Sequence, residues 1–191
     1  MKMRVLGIDP GTAIVGYGII DYEKGKFQIV DYGCIYTAKD LPMEDRLVKI
    51  HEELSALIEK YRPEEMAVEE LFYFKNNKTV ISVGQARGVI VLTGRLHGLQ
   101  MHAYTPLQVK MGITGYGRAE KKQIQQMVQR FLGLKELPKP DDAADALAIA
   151  INHIHTKTSA LVQMDSVCLK KLPKGTEKLS VQEYRELFLK K

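Results

Sequence analysis

Four carboxylates carry the chemistry this chain could perform. Asp9 ends an apolar N-terminal run, MRVLGID, just before Pro10 and Gly11. Glu69 closes a second run, MAVEE, and Asp142 and Asp145 stand at the start of an Ala-rich segment, DDAADALAIAI. Hard oxygen donors gathered at one point suit Mg²⁺ or Mn²⁺, and paired ions of that kind serve phosphodiester hydrolysis. The four acids are far apart in sequence, so the fold must bring them together.

Each acid also has a plainer reading. Asp-Pro-Gly is a common turn sequence, although Gly11 would also let a ligand approach the backbone. Glu69 and Glu70 are adjacent on a strand and face opposite sides of it. Only one can join a shared site, and periodicity does not choose between them. Asp142 and Asp145 project from one helix face at i,i+3 spacing. Asp141 and Asp142 could simply complement a helix N-terminus, which is how Asp141 is read. Asp145 lies a turn further in, among alanines, where Asp is a poor helix former.

Basic and aromatic side chains surround these acids in sequence. Phe72, Tyr73 and Phe74 follow the Glu strand and lead into Lys75 and Lys78; they are candidates for a base-stacking platform or wedge, or for a loop anchor. Lys110, Arg118, Lys121 and Lys122 flank a Gly-rich turn at Gly115 and Gly117. Backbone amides at the helix start after that turn, with the lysines, favour phosphate, though a solvated basic face is the usual fate of such a run. The five histidines have no shared spacing and are read as structural. Cys34 and Cys168 suggest neither a disulfide framework nor a zinc site.

The elements that must position these groups read as follows. Strands are predicted at roughly 3–9, 13–22 and 27–36, joined by tight turns into an antiparallel meander. A helix over 44–61 carries a single apolar stripe and ends at Arg62-Pro63. MAVEE is a fourth strand, 78–97 a mostly apolar helix, 100–105 a fifth strand, and 118–134 a helix stopped at Gly133. The final helix is expected over about 141–155. The order βββαβαβαα predicts an α/β fold: a mixed five-stranded sheet, its first three strands antiparallel, with helices on both faces. Residues 1–155 form the expected domain and 156–191 a basic tail, with a short helix near 181–189 signalled by the capping-box residues SVQE.

Composition is consistent with this picture. The chain has 191 residues, a net charge of +5 and 45% hydrophobic residues. Residues 170–191 hold seven basic residues against three acidic ones, so most of the net charge lies in the tail. The excess of positive charge fits a nucleic-acid partner. The N-terminal apolar run is too short for a signal peptide and no stretch could span a membrane, so the expectation is a cytoplasmic protein without membrane contact.

In order and spacing, LGIDPGTAIVGYGI, AVEELFYFKN, VGQARGVI, YTPLQVKMGITGYGRAEKKQIQQMV and DDAADALAIAINHIH resemble the RuvC family of bacterial Holliday-junction resolvases over roughly residues 1–155. The resemblance implies an RNase H-like fold and a Mg²⁺-dependent endonuclease, with two ions per site and Mn²⁺ able to substitute. It implies a homodimer acting on four-way junction DNA beside the RuvA–RuvB branch-migration complex. It assigns the acid site to Asp9, Glu69, Asp142 and Asp145, choosing Glu69 over Glu70. Some family members carry His where Asp142 stands. It gives Phe72, with Tyr73 as a second candidate, a part in junction distortion. Lys110 and Lys121 gain a part in junction binding or catalysis. Three rivals stand beside it: an actin-like nucleotide binder suggested by Asp-Pro-Gly-Thr, a non-catalytic junction binder, and a related nuclease acting on RNA–DNA hybrids.

Overall fold

The computed structural model describes residues 2–70 and 80–170, with side chains through 160. Three strands, β1 (Lys2–Asp9), β2 (Ile14–Glu23) and β3 (Lys26–Tyr36), form an antiparallel meander. The tight β2–β3 turn places Lys24 and Gly25 at positive φ. Helix α1 (Met43–Tyr61) follows, then β4 (Glu65–Glu69), α2 (Val80–Leu96), β5 (Gln100–Tyr104), α3 (Pro106–Thr114), α4 (Lys121–Leu132) and α5 (Asp141–Lys170). The sheet order is β3-β2-β1-β4-β5, with β4 parallel to both β1 and β5. This is the expected α/β architecture with a mixed five-stranded sheet.

Period-two alternation splits the strands between two cores. Leu6, Ile8, Met66 and Val68 face α1 and α2, whose Ile50, Leu54 and Ile90 complete one core. Val5, Ala67 and Ile20 face the other side, where Val109 of α3, Val128 of α4 and Leu147 and Ile151 of α5 close the second. Helix α5 lies unusually near the sheet. A Cβ on Gly16 would strike the carbonyl oxygen of Asp142, and one on Gly7 would strike Ala146 and Ala150. Only glycine on the strands and alanine on the helix permit that approach.

Three features depart from the sequence expectations. No element was predicted over 106–114, where α3 stands; Gly112 inside it is a poor helix former. Its start is nevertheless encoded, because Thr105 and Gln108 cap each other reciprocally and Pro106 occupies the first turn. The last helix passes 155 and continues to Lys170; neither Gly nor Pro occurs between Pro140 and Pro173 to stop it. And two of the histidines, which share no spacing in the sequence, meet in the fold: His102 and His153 stack with ring centroids 4.3 Å apart beside Glu65. Contacts within the chain fall into two units, Met1–Thr156 and Lys157–Lys191. The helix expected near 181–189 lies outside the described residues. Among the described residues no helix is long and apolar enough to cross a membrane.

Candidate active site

β1 and β4 run side by side with Ile8 opposite Val68, so Asp9 and Glu69 end neighbouring strands at one level. Alternation places Asp9 with Val5, and Glu69 with Ala67, on the face that α5 covers. Glu70 lies just past the strand, its N–H donating to the Tyr104 carbonyl at 2.8 Å. Opposite Asp9 on β2 is Gly16, the residue on which the first turn of α5 rests. That seating carries Asp142 and Asp145 toward Asp9.

The electrostatics record how closely the acids gather. Burial, followed by the charges of Glu69, Asp145 and Asp142, pushes the Asp9 carboxyl up to about 8. Glu69 is also raised, mainly by burial and against the hydrogen bond it shares with Asp9. Asp145 is raised by burial and partly relieved by Lys121. Lys121 Nζ lies 3.0 Å from Asp145 Oδ2 and 3.4 Å from Asp141 Oδ2. Gln125 Nε2 donates to Asp141 Oδ1 at 3.0 Å, so Asp141 is spent at the helix start.

A cavity of about 250 Å³ opens over this group, lined by Glu69, Asp145, Lys110 and Lys121, with Val109, Ile124 and Ile149 among its apolar walls. Lys110 is half-buried there, whereas Arg118 and Lys122 are exposed around the start of α4. That helix start is less open to phosphate than its glycines suggest. Glu120 stands at the N-cap with its N–H bonded to Gln123 Oε1 at 2.9 Å, and its carboxylate already complements the helix dipole. Phe72, Tyr73, Lys75 and Lys78 lie outside the described residues.

One contributor was not anticipated. Arg87, in the middle of the mostly apolar α2, donates from Nε to the Glu69 carbonyl oxygen at 3.1 Å. It fixes the backbone that carries Glu69. The signal was a cation in the middle of a mostly apolar helix.

The donor set fits a hard divalent cation. Four carboxylates supply only oxygen ligands, and burial together with three acidic neighbours raises the Asp9 carboxyl. Asp9, Glu69, Asp142 and Asp145 would hold the ion.

A sheet in this order, with acids at the ends of β1 and β4 and on the last helix, is an RNase H-like fold, and such an arrangement is the kind that a metal-dependent nuclease uses. The family model for crossover junction endodeoxyribonuclease RuvC matches residues 5–153. The crossover junction endodeoxyribonuclease RuvC of Fusobacterium nucleatum is 63% identical over 190 residues, spanning 98% of this chain and 100% of that protein. Thermus thermophilus RuvC aligns with TM-score 0.77 at 35% identity, covering 83% of this chain and 97% of that one. The same protein in complex with a Holliday junction substrate aligns with TM-score 0.79 at 35% identity, covering 83% and 96%. The chain belongs to the RuvC family of endodeoxyribonucleases.

Proposed function

We propose that this endonuclease resolves four-way (Holliday) DNA junctions in recombination and repair, hydrolysing phosphodiesters symmetrically to leave 5′-phosphate and 3′-hydroxyl nicks. The observation that carries the reading is the crowding of Asp9 by Glu69, Asp142 and Asp145, two of which, Glu69 and Asp145, line an open cavity beside Lys121. In this reading the four acids hold Mg²⁺, two ions per site, and Mn²⁺ substitutes. When bound, the metal supplies Lewis acidity to the attacking water and to the departing 3′ oxygen.

The chain's own groups do the rest. Asp9 and Glu69, anchored on adjacent strand ends, keep the ligand set rigid. Arg87 holds the Glu69 backbone in place. Lys121, now paired with Asp145, turns its ammonium to the charge that grows on the phosphate. Lys110, Arg118 and Lys122 attract the backbone of the DNA, and Phe72, Tyr73, Lys75 and Lys78 are further nucleic-acid-binding candidates.

A homodimer would present two such sites. An exposed apolar stripe on α2, Ile81, Leu92 and Leu96 with the open Gly88 between, supports pairing through that helix. Residues 1–155 would then be the nuclease domain and 156–191 a basic appendage. The protein would act in the cytoplasm, beside a RuvA–RuvB branch-migration complex.

The test is Mg²⁺-dependent cleavage of a mobile four-way junction against linear duplex, single strand and RNA–DNA hybrid, with Ca²⁺ as a binding control. Paired symmetric nicks confined to the junction are expected. Junction binding without cuts in Mg²⁺ or Mn²⁺ would leave a non-catalytic binder, and cleavage of the hybrid would overturn the substrate.

A further inference from the structure

Two histidines and a glutamate meet at the opposite end of the seam that carries the acids. Glu65 begins β4 four residues before Glu69 and on the same face; His153 follows Asp145 on α5 by eight residues. At strand and helix rises both offsets come to about 12–13 Å. β5 supplies His102, which is paired with Ala67 of β4.

The geometry at this point is tight. Glu65 Oε2 lies 2.9 Å from His153 Nε2 and 3.1 Å from His102 Nε2, and one ligand atom from each residue falls within 4.8 Å of the others. His153 Nε2 makes a hydrogen bond to Glu65, but the His102 contact is not aligned as one. Although within ion-pair reach, His102 Nε2 is a buried nitrogen without a hydrogen-bond partner. The remaining ring nitrogen of His153, Nδ1, lies 2.7 Å from the Tyr104 hydroxyl. Metal-bound histidines characteristically have such an outer partner. Glu65 and His153 are buried, while the His102 side chain is 36% exposed and offers a way in.

We propose that Glu65 Oε2, His102 Nε2 and His153 Nε2 form a second metal site, separate from the acid cavity, for a cation of the Zn²⁺ class. Two imidazoles and one carboxylate are ligands for such an ion and not for Mg²⁺. Bonds of about 2.0–2.1 Å in a tetrahedron put ligands roughly 3.3 Å apart, close to the spacing already present. His153 binds in the tautomer protonated at Nδ1, whose N–H then donates to the Tyr104 oxygen. Solvent takes the fourth position. The ion would tie together β4, β5 and α5, the first and last of which carry Glu69 and Asp145.

The test uses the full chain carrying Asp9→Asn and Asp145→Asn, which cripples cation binding at the acid cavity. Co²⁺ serves as the optical probe and Zn²⁺ as the competitor. Expected are the strong visible absorption of four-coordinate Co²⁺ at one equivalent, its displacement by Zn²⁺, and a Tm rise of about 5–10 °C at a hundredfold excess of Zn²⁺ over Kd. His102→Ala, which removes a part-exposed side chain, abolishes both signals. Tyr104→Phe, which keeps the core filled, weakens Zn²⁺ binding by about 10- to 100-fold. A weak six-coordinate Co²⁺ spectrum, or affinities unchanged by either substitution, overturns the proposal. No readout is cleavage, so failure here leaves the junction reading untouched.

Discussion

Asp9 sits where an ionised carboxylate is most costly without a cation. Its carboxyl is raised to about 8 by burial first and by three acidic neighbours next. A carboxyl raised on folding binds more protons in the native state than in the unfolded one, so stability falls as pH rises between the two pKa values. The metal-free protein should therefore lose stability from about pH 4 to pH 8, and Mg²⁺ should restore more Tm at pH 8 than at pH 5. Asp9→Asn removes the repulsion. In the metal-free protein at pH 8 we expect it to gain roughly 2 kcal/mol, or about 4–8 °C in Tm; an unchanged Tm would mean the acids do not crowd one another. The same variant should bind junctions and lose cleavage by at least about 10²–10³-fold. Full cleavage would remove Asp9 from the mechanism. Lys121 would act differently, since its ammonium already pairs with Asp145 and, while protonated, cannot serve as a metal ligand. Lys121→Ala should lower kcat by about 10²-fold with a much smaller change in junction Kd. An equal loss in both would make it a binding residue only.

At the scale of elements, the site depends on how near α5 can come to β1 and β2. Gly16→Val would drive a side chain into the backbone at Asp142 and force the helix outward. Overpacking of this kind costs about 1–3 kcal/mol. Cleavage should fall further than that loss of stability implies, because Asp142 and Asp145 move with the helix; thermal melts beside cleavage rates separate the two effects. The strands and α1 were legible in the sequence because alternation and a single apolar stripe are local signals. The acids were legible as candidates, since each closes an apolar run or breaks an alanine helix. Their meeting was not, because it depends on the parallel β1–β4 register and on glycines whose role appears only against a neighbouring helix. Helix α3 was hidden by Gly112, although Thr105, Pro106 and Gln108 spell out its start. The His102–His153 pair was hidden for the same reason as the acids: residues on β5 and α5 share no spacing that a linear pattern could show.

At the scale of the whole molecule, one chain supplies every member of the acid set. Asp9, Glu69, Asp142 and Asp145 come from β1, β4 and α5 of the same fold, and Lys121 from its α4. Among the described residues, one chain is enough to bring these groups together. A dimer of such chains would therefore hold two self-sufficient sites, and its role would be geometric: to set the sites at the spacing of two like-polarity strands in a two-fold junction. This makes a definite prediction for mixed dimers of the native chain and Asp9→Asn. Each should cut the junction once, on the strand facing the native protomer, and leave the other strand intact. Gels that resolve both labelled strands would show single nicks in place of paired ones. Leu92→Lys with Leu96→Lys provides the complement, because it charges the exposed stripe of α2 without touching the acids. That variant should sediment as a monomer and keep its acid set, yet lose paired incision. If the mixed dimer cut neither strand, the two sites would be obligately coupled. If it cut both, a site without Asp9 would still be active, and Asp9 would not be essential to the mechanism.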